Sequence, residues 1–290
     1  MKRYLILVIA LLICSPLPVS ADFFSAIQSI VKPDSKEGKI LAGATQMFAS
    51  SRDIDYKTEK TIGEGLALDG LTRFGNPVNN EQLQQYVNLV GTALAANCKR
   101  STITYSCAVL DSPVQNAFAV PGGVIFISRA LFGILDNEAE LAGVLAHELG
   151  HVAAKHALKS TQRAQLLQGA GTITAASVGG GQGKKLADTI GSMQTVLFDK
   201  GLDKDMEYEA DLAAMETAYR TGYDPAAFIR VLEKLQKLEN TSKEKNGSWF
   251  STHPPLTERI ARLKAQLVTY PDYAKQAHVD SRFQRYLKMK

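Results

Sequence analysis

Ala146-His147-Glu148-Leu149-Gly150-His151 lies inside a run, Asn137 to Lys159, whose apolar residues recur at helical spacing. Leu141, Val144, Leu145 and Val152 mark the apolar positions, and the run contains no proline. Asn137 and Glu140 read as a capping pair at its start, with Asp136 as an alternative cap. On such a helix His147 and His151 stand one turn apart and project from one face. That spacing suits two corners of a tetrahedral zinc site. Glu148, beside the first histidine, is placed to take a proton from a water at the metal.

A catalytic zinc wants a third protein ligand. His156 stands five residues past His151, faces away from the ligand face, and reads as a surface histidine. It also misses the extended zinc motif, which would need Gly and His where Ala154 and Ala157 stand. Glu207-Tyr208-Glu209-Ala210-Asp211 is the better source. Glu207 and Asp211 are one helical turn apart, so one can ligate while the other orients a ligand. Metal-bound histidines donate their second ring N–H to a carboxylate or carbonyl, a part that suits Asp211. Glu209 points elsewhere and reads as solvated. His253, followed by Pro254-Pro255, sits on a stiff extended segment. Three readings stay open for it: donor to an oxyanion, zinc ligand that plugs the site, or loop histidine.

The 290 residues allow one large domain or two small ones. The N-terminus has the layout of a secretory signal: basic Lys2 and Arg3, apolar Tyr4 to Ile13, then Pro16 and Pro18. Val19-Ser20-Ala21 supplies small residues before a cut ahead of Asp22. The apolar stretch is short for a membrane span, and an uncleaved anchor is the alternative. Ile13 before Cys14 argues against lipidation. Removal of residues 1–21 takes two cations and no acid, so the formal charge falls from +4 to +2. A nearly balanced chain gives no argument for nucleic acid. Cys98 and Cys107 remain, and in an exported protein they are expected to form one disulfide.

Residues 22–39 read as a loosely held N-terminal segment, and a helix is expected over Ile40–Asp69. Gly70–Pro77 is a turn region and Glu81–Ala96 a helix. Strands are expected at Thr102–Leu110, Val114–Val120 and Val124–Ser128, giving a small sheet that either holds an extended peptide at its edge or is purely structural. Ser160–Thr195 reads as two helices joined by a loop at Gly179-Gly180-Gly181, either overhanging the cleft or merely connecting. Helices follow at Met206–Arg220, Ala226–Leu238 and Thr257–Leu267. Asn240–Ser248 reads as a polar loop, Trp249–Pro255 as extended, and Arg282–Lys290 as a solvated basic tail.

Taken together, these pieces resemble the M48 zinc metallopeptidases, in particular the exported bacterial branch of periplasmic, outer-membrane-associated quality-control proteases. The resemblance rests on Asn116-Ala117-Phe118-Ala119-Val120-Pro121-Gly122-Gly123, His147-Glu148-Leu149-Gly150-His151, Glu207-Tyr208-Glu209-Ala210-Asp211, Gly222-Tyr223-Asp224-Pro225, and Thr252-His253-Pro254-Pro255 with Glu258-Arg259-Ile260. It implies an α+β, mostly α-helical zincin of gluzincin type, with a small β-sheet beside the active-site helix. The metallopeptidase domain would span residues 40–290. It implies one zinc per chain held by His147, His151 and Glu207, with Glu148 as general base and Asp211 behind the ligands. By the same likeness Asn116 contacts the substrate backbone, while His253 and Arg259 assist catalysis or gate it. Members of that branch often carry a tetratricopeptide array, for which too little chain follows Arg259. The multi-span membrane members are not matched by the modest apolar content.

The expected activity is therefore metal-assisted hydrolysis of peptide bonds in unfolded or misassembled cell-envelope polypeptides. Zinc would acidify the attacking water, Glu148 would move its proton, and His253 or Arg259 would face the oxyanion. The resemblance places the protein in the periplasm, with peripheral membrane association and contact with envelope assembly machinery left open. The rival reading is a latent or non-proteolytic assembly factor whose zinc site is closed by His253.

Overall fold

The computed structural model describes residues 54–172, 191–241, 249–253 and 256–288. The expected signal sequence, the 22–39 segment, the first part of the helix expected over Ile40–Asp69, the triple-glycine loop, most of the polar 240–248 loop and Pro254-Pro255 lie outside the described residues.

Helix α1 (Tyr56–Phe74) is capped by Asp55, whose carboxylate accepts from the Thr58 N–H at 2.9 Å. It runs four residues past the expected turn at Gly70. That glycine sustains the helix because the Phe118 ring occupies the space a side chain would need, 2.7 Å from the Cβ position. Helix α2 (Glu81–Ala95) is capped by Asn80 in the same manner. Three strands follow, β1 (Ser106–Leu110) and β2 (Ala117–Val120), each at the C-terminal end of its expected range, and β3 (Val124–Ser128), which fills its own. β3 lies in the middle, parallel to β1 and antiparallel to β2. The β2–β3 turn needs glycine at Gly122 and Gly123, where φ is +87° and +106°. After the short α3 (Arg129–Phe132) come α4 (Glu138–Ala153), α5 (His156–Thr172), a π-helical turn (Thr195–Lys200), α6 (Lys204–Thr221) and α7 (Ala226–Thr241). The turn α8 (Trp249–Thr252), α9 (Leu256–Gln266) and α10 (Asp280–Leu287) complete the described chain.

The sheet has an apolar layer on each face. Ala117, Ala119, Ile125 and Ile127 join α2, α4 and α7 in the main core. Phe118, Val120 and Phe126 belong to a second core with α1 and Phe198 of the π-helical turn. Phe118 anchors that second core, its ring centroid lying 5.0–5.2 Å from those of Phe74, Phe126 and Phe198. Edge strand β2 is therefore covered on both faces, and all four of its residues are buried.

Every residue of α4 from Glu138 to Val152 is buried. Its start is the expected one: Asn137 Oδ1 accepts from the Glu140 N–H at 3.0 Å, and the Glu140 carboxylate accepts from the Asp136 N–H at 2.8 Å. Leu141, Val144, Leu145 and Leu149 are wholly excluded from solvent. At about 1.5–3 kcal/mol for each such side chain, they offset the burial of the polar groups on the same helix. Two glycines let neighbours come close. A Cβ at Gly143 would meet Phe228 of α7 at 2.8 Å, and one at Gly150 would meet the Ala210 backbone of α6 at 3.2 Å.

Three expectations are corrected. Trp249–Pro255 is not extended where it is described. Its first four residues form a helical turn, closed by the His253 N–H donating to Trp249 O at 2.9 Å. The C-terminal tail is not merely solvated, because α10 buries Phe283 completely and brings Arg282 to Glu138. Cys98 and Cys107 form no disulfide and are free, buried thiols. Cys98 Sγ turns to the Tyr105 hydroxyl at 3.7 Å, whereas Cys107 Sγ fills the space over Gly91 of α2. Each thiol thus points into packing of its own, and burial pushes the Cys107 thiol up to about 12.

Glu138, at the first turn of α4, accepts from Tyr86 at 2.8 Å, Tyr223 at 2.7 Å and Arg282 Nε at 2.6 Å, with a further bond from Arg282 Nη2. Burial alone would raise this carboxyl, but the hydrogen bonds from Arg282, Tyr223 and Tyr86 outweigh it and hold it below the usual range. A depressed folded-state value adds stability above the ordinary glutamate range, and that stability is lost as pH falls through the depressed value. Thermal melts should therefore fall below about pH 4. Arg282→Ala should remove about 1–3 kcal/mol at neutral pH and flatten that acid dependence.

Candidate metal centre

The close approach of α4 and α6 over Gly150 and Ala210 sets two pairs of side chains against each other. His147 and His151 project from α4 with their Nε2 atoms 3.0 Å apart. Across from them, Glu207 of α6 places Oε2 at 3.6 Å from His147 Nε2 and Oε1 at 3.6 Å from His151 Nε2. One turn on, Asp211 Oδ1 lies 3.1 Å from His147 Nδ1. A carboxylate there can only accept, so the proton of a neutral His147 sits on Nδ1 and leaves Nε2 bare toward the centre.

Arg259 of α9 ties this arrangement together from behind. Its Nε donates to Asp211 Oδ2 at 2.8 Å and its Nη2 to Asp211 Oδ1 at 2.7 Å. Its Nη1 donates to His253 O at 2.6 Å and lies 3.0 Å from Glu207 Oε2. The guanidinium is wholly buried. Although burial by itself would raise the Asp211 carboxyl, Arg259 and His147 hold it down at about 2.

The fourth side is closed by His253, which stacks on Trp249 with ring centroids 4.2 Å apart and has its Nδ1 2.9 Å from Thr252 Oγ1. Donor atoms of His147, His151, Glu207 and His253 all lie within 4.8 Å of one another. Burial presses the His253 ring down to about 4, toward its neutral, ligating form. Glu148, one residue from the first histidine, lines the same cleft as Ala119 of β2 and lies with Oε1 at 3.8 Å from His253 Nε2. Its removal from water pushes its carboxyl up to about 7.

These residues fit zinc. Two imidazoles and a carboxylate are its commonest catalytic donor set, and tetrahedral coordination would set the nitrogens about 3.3 Å apart. Glu207 Oε1 is buried without a hydrogen-bond partner, which a cation between the rings would supply.

Beside this centre runs a narrow, apolar cleft between Phe118–Val120 of β2 and Val196, Leu197 and Leu202. The chain from Val196 to Leu202, just past the expected Ser160–Thr195 segment, thus overhangs the cleft, while the triple-glycine part of that segment lies outside the described residues. Gly201, at φ +77°, permits this because any side chain there would strike Thr252 O. Asn116, immediately before β2, is buried with its Oδ1 unpaired.

The structure gathers His147, Glu148, His151, Glu207, Asp211, His253 and Arg259 into one centre. It corrects the reading of His156, which is wholly buried rather than superficial. Lys155 adopts φ +56°, ending α4 and starting α5 at His156, so the ring swings back beneath His151. Its Nδ1 lies 2.9 Å from His151 Nδ1, and its Nε2 3.2 Å from Glu209 Oε2. Helical spacing carried unbroken from Asn137 to Lys159 could not place it there. Trp249 was also missed, since an aromatic residue in a polar stretch carries no signal of what it stacks upon.

A zinc-fitting His-Glu-x-x-His helix faced by a glutamate helix, with a small sheet alongside, defines a zincin-type metallopeptidase fold. The chain belongs to peptidase family M48, whose model matches residues 79–267. It is 29% identical over 266 residues to the beta-barrel assembly-enhancing protease of Yersinia pestis, covering 83% of this chain and 54% of that protein. Similarity to the metalloprotease LoiP of Escherichia coli K12 is 31% over 192 residues, 66% of this chain and 73% of that one. The mitochondrial metalloendopeptidase OMA1 of Arabidopsis thaliana matches at 29% over 174 residues, 60% of this chain and 34% of that one. The chain spans about half the length of the Yersinia protein. Among the described residues no helix is long and apolar enough to cross a membrane.

Because Arg259 neutralises two buried carboxylates, Arg259→Met should destabilise the metal-free chain by about 3–5 kcal/mol in urea denaturation. Arg259→Lys should recover only part of this, because an ammonium cannot make the paired contact to Asp211.

Proposed function

We propose that this chain is a zinc-dependent endopeptidase acting on unfolded or misassembled polypeptides of the bacterial cell envelope. The observation that carries this reading is Glu148, buried, one residue from a candidate ligand and lining the cleft beside the edge strand. A structural metal site has no use for a carboxylate of that kind.

His147, His151 and Glu207 hold the metal, and Asp211 orients His147. When bound, zinc supplies a Lewis acid that polarises the scissile carbonyl and acidifies the attacking water. Glu148, with a carboxyl raised to about 7, takes the water proton and returns it to the leaving amine. His253 faces the same space and donates to the developing oxyanion once it has left the ligand cluster. Arg259 does not reach substrate, because its donors are taken by Asp211, Glu207 and His253 O. It is a positioning residue. The substrate lies extended along β2, with Asn116 Oδ1 as an acceptor for its backbone. That geometry favours unfolded chain over folded domains.

A second reading is favoured by His253 itself. With its ring in the ligand cluster and Val196 and Leu197 over the cleft, the resting protein is latent, or serves as a non-proteolytic assembly factor. The envelope setting is supported by the leader-like residues 1–21 and by the name of the Yersinia relative, a beta-barrel assembly-enhancing protease. On that basis the protein is exported to the periplasm, in contact with the outer membrane and its assembly machinery.

The zinc-loaded chain should cleave an unfolded model protein, and Glu148→Gln should lower kcat by at least about a hundredfold with zinc retained. Loss of zinc in Glu148→Gln would contradict the assigned roles. His253→Ala separates the two states: faster cleavage than the parent marks His253 as a plug, whereas slower cleavage marks it as the oxyanion donor. No cleavage by either chain on several unfolded substrates would leave the assembly-factor reading.

A further inference from the structure

His156 and Glu209 have no part in the mechanism above, yet they form a chain of contacts that runs from the surface to a candidate ligand. Glu209 Oε2 lies 3.2 Å from His156 Nε2, and His156 Nδ1 lies 2.9 Å from His151 Nδ1. We propose that Glu209 and His156 act as a two-residue relay that sets the tautomer of His151 and so raises the metal affinity of the site. This rests on His151 being a zinc ligand.

An ionised carboxylate only accepts, so the contact with Glu209 places a proton on His156 Nε2. Because His156 is wholly buried, its neutral ring is favoured over the cation, and its Nδ1 is then a bare acceptor. The 2.9 Å contact then needs a proton on His151 Nδ1. A neutral His151 with its proton there has a free lone pair on Nε2, the atom that faces His147 Nε2 and Glu207. His147 reaches the same tautomer through direct contact with Asp211. The two ligands of α4 are thus oriented by two carboxylates on α6, one directly and one through an inserted imidazole. The insertion depends on the left-handed Lys155, which turns His156 back under α4. Glu209 is half exposed, with its side chain at 52%, so its end of the relay is the weaker one.

The test is zinc affinity of the metal-free chain, read by competition with a chromophoric chelator. His156→Phe keeps an aromatic ring in the space and removes both hydrogen bonds. It should bind zinc ten- to a hundredfold more weakly, the usual effect of losing a group that orients a ligand, about a hundredfold at most. Glu209→Ala, at an exposed position, should weaken binding by roughly three- to tenfold, and the double variant should be no weaker than His156→Phe alone. Non-additivity of this kind is not expected of two residues that merely support the fold. Thermal melts of the metal-free variants check that each is folded. If His156→Phe does not fold, Glu209→Ala alone decides. Parent-like affinity, within twofold, in a folded His156→Phe or in Glu209→Ala would overturn the relay. Failure of the parent to bind one zinc, or parent-like affinity in His151→Ala, would instead overturn the ligand assignment on which the relay rests.

Discussion

The buried guanidinium of Arg259 is the contact on which the site's geometry depends. Two carboxylates from α6, Glu207 and Asp211, are excluded from water within one helical turn of each other. Without a cation they would repel, and each would be driven toward its protonated form. Arg259 lies between them, holds Asp211 through a paired contact, and reaches the main chain of His253 with its remaining nitrogen. One side chain from α9 therefore couples the metal-facing carboxylate, the carboxylate behind His147, and the segment that carries the closing histidine. A change in any of the three is felt by the others.

The helices around this cation are brought together by small residues. Gly150 and Ala210 let α4 and α6 approach closely enough for opposed side chains to converge on one ion-sized space. Gly143 does the same for α4 and Phe228. The sheet contributes its edge strand, which lines the cleft beside Glu148. Phe118 of that strand packs into the second core, while Ala119 belongs to the main core.

The arrangement is also closed. His253 stacked on Trp249, with Val196 and Leu197 over the cleft, leaves little room for a polypeptide. Opening would have to break the Trp249–His253 stack, both of whose side chains are buried, and the Gly201–Thr252 approach.

Local periodicity by itself determined a good deal. The one-turn spacing of His147 and His151, and of Glu207 and Asp211, follows from helical geometry, which needs only short-range order. The positions of α2, α6, α7 and α9 and of the three strands were legible for the same reason: each buries one apolar stripe or alternates between faces. What the sequence could not show was set by single backbone angles and by contacts between distant segments. The left-handed Lys155 redirects His156 from surface to centre, and no pattern of hydrophobicity marks it. The two cysteines lie close along the chain, yet tertiary packing sends one toward Tyr105 and the other over Gly91. The C-terminal residues look like a charged tail until Glu138, more than a hundred residues earlier, provides a buried partner for Arg282. Spacing along a helix is a one-dimensional property, but burial and partner choice depend on what the rest of the chain packs against it, and only the folded structure decided those.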